Sequence, residues 1–224
     1  MKDDDIKLMY EKEFYAKERN FACKTGLEFD LFIEHLDRIL AGKPKNIKIL
    51  DIGTGSGDIL RILKNKGYNN LYGIEIIPEF IKKAEKFGKI IEHDIETDLP
   101  FEDDEFGVII TKDLLEHVYN VDNLICEISR VLQKDGIYIQ FTLNMMYFMR
   151  RFNFLFGKID ENFPSHHKGH VRWVSHKILE KYLSKYFTIE KITLGRIARL
   201  PIFSAYPNIF DRFCFFICKL RTEN

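Results

Sequence analysis

Hydrophobic residues recur along this chain in two alternating rhythms: short continuous apolar runs, and stretches spaced three and four apart. Ile47, Ile49, Leu50 and Ile52 form a run that carries the acid Asp51, and Gly53, Gly55 and Gly57 follow at alternate positions. Ile59, Leu60, Ile62 and Leu63 then recur at helical spacing, and Gly67 closes the pattern. This predicts strand, tight glycine turn and helix. The alternation continues with a strand over 70–76 and a helix from Pro78, suited to a first helical turn, to near Gly88. Strands are predicted over 89–93, 105–111 and 137–143, with a helix over 121–132 and a turn at Asp135-Gly136 before the last of them. Ser175 caps a helix containing Ile178, Leu179, Tyr182 and Leu183, and 187–194 alternates like a strand. Near the N-terminus, 1–24 reads as a polar helix with an aromatic stripe (Tyr10, Phe14, Tyr15). Thr25 and Glu28 form a capping box for a second helix, whose face of Leu27, Leu31, Phe32, Leu36, Ile39 and Leu40 ends at Gly42 and Pro44. Strands alternating with helices require an α/β fold with a parallel sheet wound in right-handed crossovers.

The glycine turn is the chemically informative stretch. Glycine adopts backbone angles closed to other residues and lets a ligand approach the main chain, while the helix that follows offers free N–H groups. A dinucleotide fingerprint spaces its glycines G-x-G-x-x-G, with a pyrophosphate on the helix end. Here the spacing is G-x-G-x-G, and Asp58 stands where the third glycine belongs. An acid there disfavours a diphosphate, whereas Asp51 suits an ammonium group. At these residues the chain resembles the class I S-adenosylmethionine-dependent methyltransferases, whose first motif reads as Asp51-Ile-Gly53-Thr54-Gly55-Ser-Gly57 does here. Glu75, at the second strand's end, is placed to accept both ribose hydroxyls. The resemblance sets Ile76 beside the adenine, Asp94 on its amino group and Ile95 against its ring, and adds Lys112 to the cofactor set.

Leu115-Glu116-His117-Val118 resembles the small-molecule branch of that family, which includes quinone-biosynthesis and glycan- or lipid-tailoring enzymes. The Asn/Asp-Pro-Pro-Tyr motif of adenine and glutamine methylation is missing, as is the Pro-Cys nucleophile of cytosine methylation. The resemblance implies a Rossmann-like seven-stranded sheet, mostly parallel, with Phe213–Leu220 as its antiparallel final strand. It also implies one methyltransferase domain over 1–224: a helical cap (1–42), a cofactor-binding half (43–143), a substrate-side insertion (144–174) and a C-terminal helix and strands (175–224). The acceptor would be a small molecule, a glycan or a lipid-linked compound, methylated on O or N rather than C. In this family the N-terminal segment often covers the cofactor, which makes Tyr10 and Tyr15 candidate substrate contacts; a surface helix is the plainer alternative.

Composition narrows this only modestly. The 224 residues suit one domain with a sizeable core, and 46% hydrophobic with 30% charged residues is ordinary for a soluble protein. No apolar run approaches a membrane span, MKDDD is no signal peptide, and four cysteines without C-x-x-C spacing imply reduced thiols in a cytoplasmic protein. Charge is zero overall but uneven, −8 over residues 1–144 and +8 over 145–224. The balance excludes a general nucleic-acid binder, while the basic C-terminal part suits an anionic substrate, a membrane surface or simple attraction between the halves. An amphipathic membrane-touching helix is the alternative to a strand in the tail.

Two histidines are candidate catalytic bases. An unperturbed imidazole titrates near neutrality, which makes His117 a candidate base, but it would equally cap or brace the next helix. His170 and Arg172 lie in SHHKGHVRW, within the aromatic, basic stretch 144–174 where periodicity fails, and similar His-x-Arg-aromatic phrases stand near the substrate opening in the resembled family. Arg150 and Arg172 are candidate anion contacts. No cysteine or acid lies at ligand spacing among the histidines of SHHKGHVRW, so no metal is expected. Two other readings stay open: an NAD-type oxidoreductase, and a non-catalytic cofactor-binding module on the same fold.

Overall fold

The runs ending near Asp51, Glu75, Glu92 and Lys112 become four parallel strands. The computed structural model describes residues 27–157, 170–192 and 206–221. In chain order the elements are α1 (Leu27–Leu40), β1 (Ile49–Ile52), α2 (Asp58–Asn65), β2 (Leu71–Glu75), α3 (Pro78–Ala84), β3 (Lys89–Glu92), β4 (Phe106–Lys112), α4 (Val121–Val131) and β5 (Leu132–Leu143). Then come α5 (Phe148–Leu155), α6 (His176–Leu183), β6 (Phe187–Ile192), the short α7 (Pro207–Phe210) and β7 (Phe213–Leu220). The strands form one seven-stranded sheet in the order β3-β2-β1-β4-β5-β7-β6. Only β7 runs against its neighbours, pairing antiparallel with β5 and with β6.

Alternation explains why these runs pair and how both faces are filled. A strand sends successive side chains to opposite faces. Leu50, Ile52, Ile109 and Tyr138 join a cluster with Leu124 and Ile128 of α4 and Leu179 of α6. Their immediate neighbours Ile49, Val108, Ile110, Ile137 and Ile139 join a second cluster with Phe32 and Leu36 of α1 and Leu60 and Leu63 of α2. Strands covered on both sides are apolar throughout, as parallel strands between helices must be. One polar pair inside this core is matched: the hydroxyls of Tyr138 and Thr111 lie 2.8 Å apart.

The structure departs from the sequence reading in three places, and in a fourth it decides between two alternatives. The Asp135-Gly136 turn is absorbed into β5 as a register shift, since Phe106 pairs with Leu132 but Val108 pairs with Ile137. Residues 148–155, aperiodic in sequence, form α5; none of its residues is buried, so it has no apolar face against the core to leave a pattern. α3 ends at Ala84, short of Gly88. Phe213–Leu220, for which a membrane-touching helix was the alternative, is a largely buried strand between β5 and β6. Peripheral membrane contact through that stretch is thereby corrected, because its apolar faces are spent on the two clusters. The Thr25 cap and the stripe of Tyr10, Phe14 and Tyr15 lie outside the described residues. No described helix is long and apolar enough to cross a membrane.

Gly57 shows how the motif also serves packing. It has φ +82°, and a Cβ there would sit 2.9 Å from Ala84 Cα, in the backbone of α3. Gly67 has φ +89° but open space around its missing Cβ. Gly67→Ala is expected to cost only the left-handed strain, ~1–2 kcal/mol, and Gly57→Ala about 2–4 kcal/mol because a clash is added. Urea unfolding of the two variants side by side checks the order; equal losses would remove the packing role of Gly57.

Candidate functional site

The carboxyl ends of β1 to β4 meet where the strand order reverses, between β1 and β4, the place where open α/β sheets bind ligands. The glycine turn closes onto β2 through Gly53 N and Thr54 N, which both donate to Ile74 O at 2.9 and 3.0 Å. Leu114, from the loop after β4, fills the space beside Gly53, at 2.6 Å from where a Cβ would stand. Gly55 differs: its φ is +54° and nothing lies within 4 Å of its missing Cβ. Its backbone therefore faces open space, as a ligand-cradling position must.

Two carboxylates are buried behind this turn. Asp51 is 1% exposed, and its Oδ2 accepts from Thr54 Oγ1 at 2.8 Å. Burial pushes its pKa up to about 7; the Thr54 hydroxyl opposes the shift, and the charge of Glu75 adds to it. Glu75 Oε1 accepts from Ile76 N at 2.8 Å and Ile77 N at 3.1 Å, while Oε2 accepts from Gly55 N at 2.8 Å. Burial still raises its pKa against those three N–H groups. Desolvated acids with an unmet preference for a cation or donor are what a polar ligand would satisfy.

The remaining expected cofactor residues sit along the same edge. Asp94 follows β3 and folds its Oδ1 onto Glu96 N at 3.0 Å, and Ile95 packs against the first cluster. Lys112 ends β4, ion-paired with Asp113 and 5.4 Å over the Phe141 ring. Asp58 is the first residue of α2 and pairs with Arg61 at 3.2 Å. A carboxylate thus already stands at the helix end that a dehydrogenase offers to pyrophosphate.

The loop 113–120 leads from this crevice to a second group. Glu116 is 6% exposed; its Oε1 accepts from Thr142 Oγ1 at 2.9 Å, and its Oε2 is buried without a hydrogen-bond partner. Burial, and then the charge of Asp113, push its pKa up to about 7. Val171 N donates to Glu116 O at 2.9 Å, which docks 170–174 against the loop and sets the His117 and His170 rings 4.7 Å apart, edge to face. Glu116 and His170 line a small cavity, about 10 Å³ in volume, with Thr142, Met145, Arg172 and Val174. Arg172 Nη2 donates to Tyr119 O at 2.6 Å, and Arg150 Nη1 approaches Met145 Sδ at 3.4 Å.

His117, His170 and Arg172, distant in sequence, are therefore brought together, with Arg150 reaching a residue of the same cavity wall. His117 does not cap α4: that task falls to Asn120, whose Oδ1 accepts from Asn123 N at 3.2 Å. The residue that sequence reasoning passed over is Glu116. Its signal was adjacency to His117, but only the docking of 170–174 shows that an acid stands beside both histidines. Tyr10 and Tyr15, like His166 and His167, lie outside the described residues. A separate groove of about 490 Å³, lined by Lys64, Tyr68, Phe87 and Lys89, opens at the amino ends of β2 and β3, away from all these groups.

Sheet order, the single antiparallel strand and the acid-flanked glycine turn define an α/β nucleotide-binding fold of the class I methyltransferase type. Residues 50–140 match the family described as a methyltransferase domain. It is 39% identical over 88 residues to an uncharacterised protein of Methanocaldococcus jannaschii, covering 39% of this chain and 40% of that protein. It is 34% identical over 105 residues to the ubiquinone biosynthesis O-methyltransferase of Pelagibacter ubique, covering 45% of this chain and 43% of that one. The matches thus span about two fifths of the length of these curated relatives. A crystal structure of a Pyrococcus horikoshii protein shares the fold with a TM-score of 0.67 at 19% identity, covering 93% of this chain and 99% of that chain.

The raised Asp51 pKa makes a stability prediction. Its reference value is 3.8 and its folded value about 7, so the folded state holds more protons between those limits. Stability from this group falls as pH rises through that window. His176, buried and held down to about 4, works in the opposite sense: its contribution is lost as pH falls below the ordinary imidazole range. The comparison with Asp51→Asn isolates the acid. Relative to wild type, the variant is expected to gain on the order of a few kcal/mol in stability between about pH 5 and about pH 8. Thermal melts of both proteins at the two pH values check this; a constant difference would contradict it.

Proposed function

We propose that this protein transfers a methyl group from S-adenosylmethionine to an oxygen or nitrogen of a small-molecule or lipid-linked acceptor. The observation that carries the reading is the pairing of an acid-lined crevice around Gly55 with the Glu116–His117–His170 group at the far end of one short loop. The chain's residues fit the cofactor: Asp51 suits an ammonium group, Glu75 ribose hydroxyls, and the open backbone at Gly55 a close approach. Asp94 and Ile95, with Ile76, are assigned to the adenine. When bound, the cofactor supplies a methyl group already activated by a sulfonium charge.

What the protein must then do is align the acceptor and keep water out. In this reading His170 and His117 take a proton from an un-ionised acceptor, and Arg172 and Arg150 hold a negative charge near it. The 144–174 segment supports an apolar acceptor: Phe152 and Phe154 of α5 are 54% exposed and Leu155 is 79% exposed. The Pelagibacter relative, named a ubiquinone biosynthesis O-methyltransferase, supports an oxygen acceptor. Asp58, paired with Arg61 at the start of α2, opposes the NAD-type alternative.

Calorimetry with S-adenosylmethionine, S-adenosylhomocysteine and NADH tests the cofactor half. Micromolar binding of the first two is expected, weakened roughly 10–100-fold by Glu75→Ala through lost hydrogen bonds to a charged group. Binding of NADH alone would overturn the reading. For the acceptor half, His170→Ala should leave S-adenosylhomocysteine affinity within about twofold while lowering transfer to phenolic acceptors by ~10²-fold or more. Unchanged transfer would remove His170 from the chemistry.

A further inference from the structure

We propose that Glu116, His117 and His170 hold a divalent cation of the zinc class, leaving an open coordination position for the acceptor's oxygen. Each of the three offers one ligand atom, and these atoms all lie within 4.8 Å of one another. Around a four-coordinate zinc, ligand atoms stand about 3.3 Å apart, given bonds of ~2.0–2.1 Å. The three side chains would therefore draw in by about an ångström or more, on a loop and a segment already joined by the Val171–Glu116 backbone bond.

Three features point to a ligand rather than to a chance meeting of side chains. Glu116 is more than nine-tenths buried and lines the cavity with His170, yet its Oε2 has no hydrogen-bond partner. An unpaired carboxylate oxygen in that position costs stability unless a donor or cation meets it. Thr142 holds the other oxygen at 2.9 Å, orienting the carboxylate as outer groups do around metal ligands. The cavity has room for about one water-sized sphere. Arg172 lines the same cavity and its charge opposes a cation there, although its bond to Tyr119 O ties one end of the guanidinium to the neighbouring loop.

Two histidines and one carboxylate with a position left open are the donor set of catalytic zinc and iron sites, not of closed structural ones. The role, though not the binding, rests on the methyltransferase reading. With the cation present, the histidines serve as ligands rather than bases. The acceptor oxygen coordinates the cation, which lowers its O–H pKa, and the proton leaves to solvent. The oxygen then forms its bond to the methyl carbon while the carbon–sulfur bond breaks, its electron pair staying on sulfur.

The test uses untagged full-length protein stripped with a chelator and titrated with Co²⁺ and Zn²⁺. The wild type is expected to bind about one equivalent and to develop the visible absorption of cobalt in a low-coordinate nitrogen–oxygen site. Glu116→Gln, which keeps a group for Thr142, and His170→Ala should each weaken binding by ~10-fold or more. His93→Ala, at a histidine outside the cluster whose ring bonds Asp98 O, should not. No cobalt spectrum, or equal binding by all variants through an adventitious ion only, would overturn the proposal. S-adenosylhomocysteine titrations of the same samples separate the two readings. Cofactor binding without cobalt binding sinks the metal site alone; cobalt binding without cofactor binding upholds the site and sinks the role given to it.

Discussion

One buried carboxylate holds the working end of this fold together. Glu75 closes β2 and takes three backbone N–H groups, two from the chain just after the strand and one from Gly55 in the turn after β1. The turn cannot leave β2 without orphaning a buried charge, and the carboxylate cannot be buried without the turn's N–H groups. That mutual dependence places the open backbone at Gly55 over the sheet's switch point. It also fixes Asp51, whose Oδ2 accepts from the Thr54 hydroxyl of the same turn. The pKa values of both acids stay raised, so the folded chain carries strain at the place where a ligand with an amino group and hydroxyls would relieve it.

The second constraint is the loop after β4. Leu114 fills the space beside Gly53, so the cofactor turn and this loop share one packing contact. Two residues on, Glu116 points a backbone carbonyl at Val171 and a side chain at Thr142 of β5. The loop thus couples three elements that are remote in sequence, and the cluster of Glu116, His117 and His170 is the product of that coupling. Beyond it, Asn144 continues the same logic: its Nδ2 donates to Asp211 O at 2.7 Å and its backbone N to Arg212 O at 2.9 Å. The segment leading into β7 is thereby pinned to the end of β5.

Much of the fold was legible because both faces of the sheet are dry. Ile49 and Leu50 go to opposite clusters, so β1 reads as an unbroken apolar run, and α2 and α4 each show one apolar stripe against that sheet. Where burial is one-sided or absent the signal disappears. α5 buries nothing and left no periodicity, and the bulge in β5 looked like a turn because Gln133, Lys134 and Asp135 are exposed. The residues proposed to hold the cofactor stood out for a related reason: a left-handed turn demands glycine, and an acid at a strand end is chemically conspicuous beside it. His117 misled because an imidazole before a helix resembles a cap, while the capping residue, Asn120, was three positions further on.

By itself, then, the sequence determined the α/β alternation, the glycine turn and the row of acids at the carboxyl ends of β1 to β3, since each is dictated by local backbone geometry or by burial on a short repeat. Only the tertiary structure decided that Glu116 is buried with one oxygen unpaired, that His170 returns to lie against His117, and that Gly57 faces the backbone of α3 while Gly55 faces open space. Those are facts about which distant segments touch. Contacts between segments dozens of residues apart leave no spacing in the chain; they arise when the sheet closes its order around the switch point and one backbone bond, Val171 to Glu116, draws the last segment in.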